Sequence, residues 1–245
     1  MAAPVLFAGL FGVAILLMVL IGVLSYLSAK RRRESFTALA AQRGWTYLQR
    51  DDRWADRFDG APFGTGRDRQ ANNVLIGAYD GRPFVAFDYR YSTTETSTDA
   101  QGHVQTHTEV HPFSVLALDA GVTFPELSVT PEGFFGRMVG RLTNTDIELE
   151  SEAFNRAFTV TSPDRKFATD VLHPRMMEYL LQIPDRGWSL RDGWLLAVRP
   201  GQHTVEQLDS RLTDLDGILD RIPEFVWKDA GGHADPPPAP PAAAS

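Results

Sequence analysis

Cysteine is absent, so disulfides, thiolate metal sites and a cysteine nucleophile are excluded together, and no redox signal of compartment remains. Lysine is nearly absent: three residues, Lys30, Lys166 and Lys228, stand beside 21 arginines, a bias that suits a bacterium with a GC-rich genome. Charge of either sign is missing from Met1 to Ala29. Positive charge is scarce beyond the first 33 residues: from Glu34 onward 20 Lys and Arg face 31 Asp and Glu. Such an acidic domain repels phosphate backbones, and no basic stripe interleaved with aromatics is present, which excludes nucleic acid as the expected partner.

The charge-free start is the strongest positive feature. Leu6 to Leu27 is almost continuous Leu, Ile, Val, Phe, Ala and Gly, about 33 Å of helix at roughly 1.5 Å per residue, enough for a bilayer core. A cleaved signal peptide is disfavoured because basic residues follow the apolar run instead of preceding it, and Leu27-Ser28-Ala29 lacks a small-x-small ending. The cluster Lys30, Arg31, Arg32 and Arg33 predicts, by the positive-inside rule, a single-pass plasma-membrane protein with its N-terminus outside and its domain in the cytoplasm. Setting orientation is the plain role of these four residues; attraction to anionic headgroups is the alternative. Ala8 and Gly12 form one small-xxx-small pair; lipid-facing filler is its plainer reading, and it is scant support for a homo-oligomer.

The remainder divides into a basic juxtamembrane segment with a short helix over 30–44, ended by Gly44, a globular domain over 45–228 with a subdomain break near 131–145, and a disordered Pro- and Ala-rich tail over 229–245. The fold class expected is α+β: the transmembrane helix, then an antiparallel sheet with hairpins and a C-terminal amphipathic helix. Asp80-Gly81 separates strand-like runs at 74–79 and 82–91, and Asp192-Gly193 separates 188–191 from 194–198, both suiting type I′ turns. On the second strand Val85, Phe87, Tyr89 and Tyr91 share the face assigned to the core, with Phe84, Ala86, Asp88 and Arg90 opposite. The Thr-rich stretch after Tyr91 and the run from Val104 to Leu118 predict a long hairpin with a polar tip. Further short strands are expected at 127–129, 147–149 and 157–161, a helical region at 164–181 restarting at Pro174, and a helix after a Thr204/Gln207 capping box with a stripe of Val205, Leu208, Leu212, Leu215, Leu219 and Ile222. A pleckstrin-like barrel closed by the terminal helix is one version of this architecture.

Little here carries chemistry. His107, Glu109 and His111 share strand parity and are the candidate ligand or metal residues; His103 lies about 13 Å from His107 along a strand, too far to share an ion. Two further ligands have no sequence signal, and a solvated strand face explains the same residues. Arg67 and Arg69, after Gly64 and Gly66, are a candidate anion site, but the loop precedes its strand, the reverse of phosphate-loop order. No Gly-x-Ser-x-Gly elbow exists, no catalytic residue is assigned, and no cofactor is implied.

From Glu150 the chain reads Glu150-Ser151-Glu152-Ala153-Phe154, then Phe158 and Val160, Asp164, Ala168, Leu172 and Pro174, and then Met177, Leu180 and Leu181. Over these roughly thirty residues it resembles a family of bacterial membrane-associated proteins classified only by a domain of unknown function, with an acidic-Ser-x-x-Phe start, a Phe-x-Val strand and a Leu-x-Pro helix. The resemblance implies a membrane-tethered α+β domain and no catalytic residue. The function expected is a noncatalytic interaction or scaffold module at the membrane, with the bilayer and another membrane-associated protein as partners, or recruitment by the proline-rich tail. The rival is a membrane-anchored hydrolase or metal-dependent enzyme using the His107/Glu109/His111 region.

Overall fold

The computed structural model describes residues 2–98, 104–131, 147–183 and 187–232, with the side chains of the first helix described from Ile15 onward. The chain is α+β. Helix α1 runs without a break over Ala2–Arg43. It leads into a sheet built of β1 (Thr46–Arg50), β2 (Arg67–Tyr79), β3 (Arg82–Thr98), β4 (Val104–Asp119), β5 (Leu127–Pro131), β6 (Phe158–Thr161), β7 (Trp188–Arg191) and β8 (Trp194–Pro200). Their order is β1-β2-β3-β4-β8-β7-β5-β6, every neighbouring pair antiparallel. Among the described residues the order is linear, with β1 and β6 as edges, so within them the sheet is open and does not close into the pleckstrin-like barrel. It runs through both halves of the chain; the subdomain break expected near 131–145 falls almost wholly outside the described residues.

Local chemistry accounts for most boundaries. Gly44 takes φ +69°, ending α1 with the Trp45 N–H on the Ala40 carbonyl. The two Asp-Gly turns adopt positive φ at both central residues, Asp80 and Gly81 and then Asp192 and Gly193, as right-twisted hairpins require. Helix α2 (Glu152–Ala157) is capped by Ser151, whose Oγ accepts from the Phe154 N–H at 3.3 Å. Ser151→Ala should therefore cost about 1 kcal/mol, read as a fall in urea midpoint at unchanged slope. Asp164 caps α3 (Arg165–Val171), and α4 (Pro174–Gln182) starts on its proline. Helix α5 (Val205–Leu219) begins after Thr204, but that side chain makes no capping bond, so the expected capping box is not formed. Helix α6 (Glu224–Asp229) closes the described chain. Two other expectations are corrected: the short helix over 34–43 is the end of α1, and Ile147 gives one hydrogen bond to the Val160 carbonyl without forming a strand at 147–149.

Both faces of the sheet are covered, which sequence parity did not reveal. Phe84, Ala86, Leu116 and Leu118 join the larger core with the end of α1 and helices α2 to α6. Val85, Phe87, Tyr89, Val115 and Ala117 join a smaller core closed by Ala55, Phe58 and Phe63 from the β1–β2 connection. Phe84 and Ala86, expected to face away from the core, are thus 1% exposed each.

Among the described residues no helix is long and apolar enough to cross a membrane. The uncharged stretch from Ile15 to Ala29 rises only about 22 Å before Lys30, against a bilayer core of about 30 Å. The span expected from Leu6 to Leu27 is therefore not met within that stretch. Its large apolar side chains from Ile15 to Leu27 are nonetheless 41–75% exposed on every side of the helix.

Candidate functional site

The four basic residues assigned to membrane orientation fall into two groups. Lys30 is exposed and reaches Glu34 at 3.8 Å, and Arg31 is exposed; Arg32 and Arg33 are half-buried. Arg32 turns inward to the domain. Its guanidinium grips Asp88 with both forks, Nη1 to Oδ2 at 2.6 Å and Nη2 to Oδ1 at 3.0 Å. It also donates to the His203 carbonyl, from Nε at 3.0 Å and from Nη2, and lies 4.9 Å over the Phe36 ring. A bidentate arginine–carboxylate pair constrains orientation as well as distance. The end of α1 is thereby pinned to the sheet only three residues beyond Ala29.

Asp88 is 5% exposed and fully engaged: besides Arg32 it accepts from the His203 main-chain N–H at 2.9 Å and from Asn73 Nδ2 at 2.8 Å. Asn73 sits at an irregularity of β2 with φ +49°, a conformation Asn tolerates, and its amide oxygen takes the Tyr47 hydroxyl at 2.8 Å. The buried His203 ring donates from Nε2 to the Val115 carbonyl at 2.7 Å, which leaves Nδ1 to accept from Arg211 Nη1 at 3.0 Å. Burial, and then the positive charge of Arg211, pull the His203 pKa down to about 4, so the ring is neutral at physiological pH. Arg211 also donates to Ser114 Oγ at 3.0 Å.

Serine, histidine and aspartate thus meet, but not as a catalytic relay. Ser114 bonds Arg211 instead of the imidazole, Asp88 bonds the histidine main chain, and both ring nitrogens are committed. The cluster is a latch joining α1, β2, β3, β4 and the approach to α5. Arg32 was visible in the sequence as one of a basic run; Asp88, His203, Asn73 and Arg211 carried no sequence signal, because, apart from the eight residues between His203 and Arg211, their contacts reach across 15 to 171 residues.

The candidate ligand residues lie on an arm made by the outer ends of β3 and β4. His107 stands opposite Glu95, Glu109 opposite Thr93 and His111 opposite Tyr91. His111 Nε2 meets Thr93 Oγ1 at 2.8 Å, and its ring stacks on Tyr91 at 4.8 Å. Among the described residues no three His, Asp or Glu side chains converge as a metal site. The arginines of the candidate anion loop separate as well: Arg69 is bound to Asp56 at 2.8 Å and to the Gly66 carbonyl, while Arg67 is an exposed residue at the start of β2 opposite Ser92.

A groove of about 220 Å³ opens between the β4–β5 connection, α3 and α6. Phe124, Phe167 and Val226 supply its apolar lining, and Asp164, Asp170 and Asp229 its carboxylates. Lys166 spans to Asp170 at 2.6 Å, and this bond, with the other acids nearby, raises its pKa.

No family model matches the chain, and no curated protein matches it. Among solved structures, the crystal structure of the mycobacterial trehalose monomycolate transport factor A, TtfA, is similar to it with a TM-score of 0.55 and 20% identity, covering 79% of this chain and 95% of that one. At that identity the likeness is one of fold.

Proposed function

We propose that the protein is a noncatalytic, single-pass membrane protein whose sheet domain is held rigidly against the cytoplasmic face as an accessory interaction module for a membrane transport process. The observation that carries this reading is the latch: α1 is continuous, and Arg32 is clamped by Asp88 and His203, so that helix and domain form one body without a flexible linker. In the sequence the run without charged side chains continues from Ile15 back through Ala14 to Ala2, all within the same helix, and counted with these residues it is long enough to match a bilayer core of about 30 Å. Apolar side chains exposed all round a helix are stable in lipid and costly in water. Lys30 and Arg31, left exposed by the latch, are placed to meet headgroups.

The fold likeness to a transport factor supports an accessory role. Tethering raises the local concentration of such a module beside other membrane components without a new contact. The acidic domain is repelled by anionic lipid and attracted to basic cytoplasmic loops of membrane proteins, which suits protein partners over the bilayer surface itself.

Membrane fractionation tests the anchor, and reporter fusions after Ala230 test the side. The full chain should sediment with membranes and resist carbonate and high salt, while a chain without residues 2–29 should stay in the supernatant. A reporter active only in the cytosol should work, and one active only outside should not. Carbonate extraction of the full chain, or activity of the external reporter, would overturn the reading.

A further inference from the structure

The arm formed by β3 and β4 outruns both neighbouring strands. β2 accompanies β3 only as far as the Arg67–Ser92 pair, and β8 accompanies β4 only as far as Phe113–Pro200 with the Gly201 N–H on the Pro112 carbonyl. Beyond these points β3 and β4 remain paired with each other without a register shift out to Thr98 and Val104. Val104 to Val110 is exposed throughout, with Val104 at 65% and Val110 at 51%. No Lys, Arg or Pro lies between Val104 and His111 to guard the edge. A strand edge left unpaired among the described residues, and exposed along its length, invites another strand.

The β4 edge has a definite polarity. The Pro112 carbonyl points toward β8, so the even-numbered residues Val110, Thr108 and Thr106 present their N–H and C=O groups on the open side. The odd-numbered His107 and Glu109 project from one face of the arm, and the even-numbered Thr106, Thr108 and Val110 from the other.

We propose that this edge pairs antiparallel with the same edge of a second copy of the chain, about a two-fold axis at Thr108. In that register Thr108 faces Thr108 of the second copy and Thr106 faces its Val110, all through outward-pointing backbone groups, as a hydrogen-bonded ladder requires. On the charged face each His107 then meets a Glu109. The neighbouring two-fold registers are worse matched: centring on residue 107 opposes two histidines, and centring on residue 109 opposes two carboxylates. Pairing runs from Thr106 to Val110 and stops where Gly201 of the second copy already occupies the Pro112 carbonyl. So short a ladder binds weakly, and two-dimensional confinement at the membrane supplies the concentration it needs. The second copy therefore fits this edge without any contact between membrane helices.

The chain's lack of cysteine makes the register directly readable. Full-length Thr108→Cys protein in phospholipid vesicles, oxidised with copper phenanthroline, should form a disulfide dimer, because hydrogen-bonded partners sit about 5.5 Å apart at Cα. Thr106→Cys alone should cross-link roughly ten-fold more slowly, since two copies of residue 106 lie about 13 Å apart in this register, but should cross-link well when mixed with Val110→Cys chains. In the Thr108→Cys background, His107→Glu should suppress the dimer by opposing carboxylates, and adding Glu109→Lys should restore it. Equal rates at 106, 108 and 110, cross-linking through Thr94 or Thr96 of β3 instead, or indifference to His107→Glu would each overturn the proposal.

Discussion

Asp88→Ala should lower the unfolding free energy by about 3–5 kcal/mol, the cost of breaking a buried ion pair by removing one partner. The substitution strands the Arg32 guanidinium, the Asn73 amide and the His203 N–H, all of which Asp88 now satisfies. The same change should free α1 from the sheet. Amide exchange over 34–43 should accelerate more than exchange in the central strands β3 and β4, because the latch is the buried polar tie between helix and domain, beside the exposed Arg43–Asp209 pair, while Phe36 and Ala40 provide the apolar one. The double variant Arg32→Met, Asp88→Leu should recover part of the stability, since it removes the charge and its partner together. Urea melts of the three chains measure this; an Asp88→Ala midpoint matching the parent would remove the latch as a source of rigidity.

The second large effect is hidden in the parent and appears only in variants. His203 has its pKa depressed to about 4, so it contributes stability that is complete above its unfolded value of 6.5 and is lost as pH falls through 4. Asp216 behaves oppositely. Burial, and then repulsion from Asp220, raise its pKa to about 6 despite the bond to Arg82, so its contribution is complete below 3.8 and is lost as pH rises through 6. The two slopes oppose each other over nearly the same window, each on the order of 3 kcal/mol.

Asp216→Asn should therefore expose the histidine: its stability should fall between pH 6.5 and 4 more steeply than the parent's. His203→Gln should show the reverse, with stability rising relative to the parent as pH drops across that window. Other carboxylates contribute alike to parent and variant, so the difference between two denaturation series isolates each group. Superimposable pH profiles for Asp216→Asn and the parent would contradict the assignment.

How much was legible beforehand depends on the range of the interaction. The Asp-Gly turns, the start of the helical region at 164 and its restart at Pro174 act within a few residues, and the structure places them where the local chemistry predicts. The capping box at Thr204 failed even at short range, because a spacing shows which side chains are near and not which bond forms. The two covered faces of the sheet were missed because alternation assigns one core side to a strand. Here the β1–β2 connection folds back with Phe58 and Phe63 to bury the second. The candidate residues His107, Glu109 and His111 share a strand as expected, yet what stands beside them is Thr93, Glu95 and Tyr91 from β3, a neighbourhood set by hairpin register.

By itself the sequence determined the composition-level facts: a charge-free helical start followed by a basic cluster, an acidic domain without thiol chemistry, and hairpins set by their turns. These follow from hydropathy, charge and backbone preference, which are properties of neighbouring residues. Only the tertiary structure decided that Arg32 belongs to the domain, that Asp88, His203 and Arg211 form a latch and not a catalytic site, and that β4 presents an open edge. Each of those depends on groups brought together across the fold, where burial and the loss of water turn an ordinary arginine or aspartate into a structural tie.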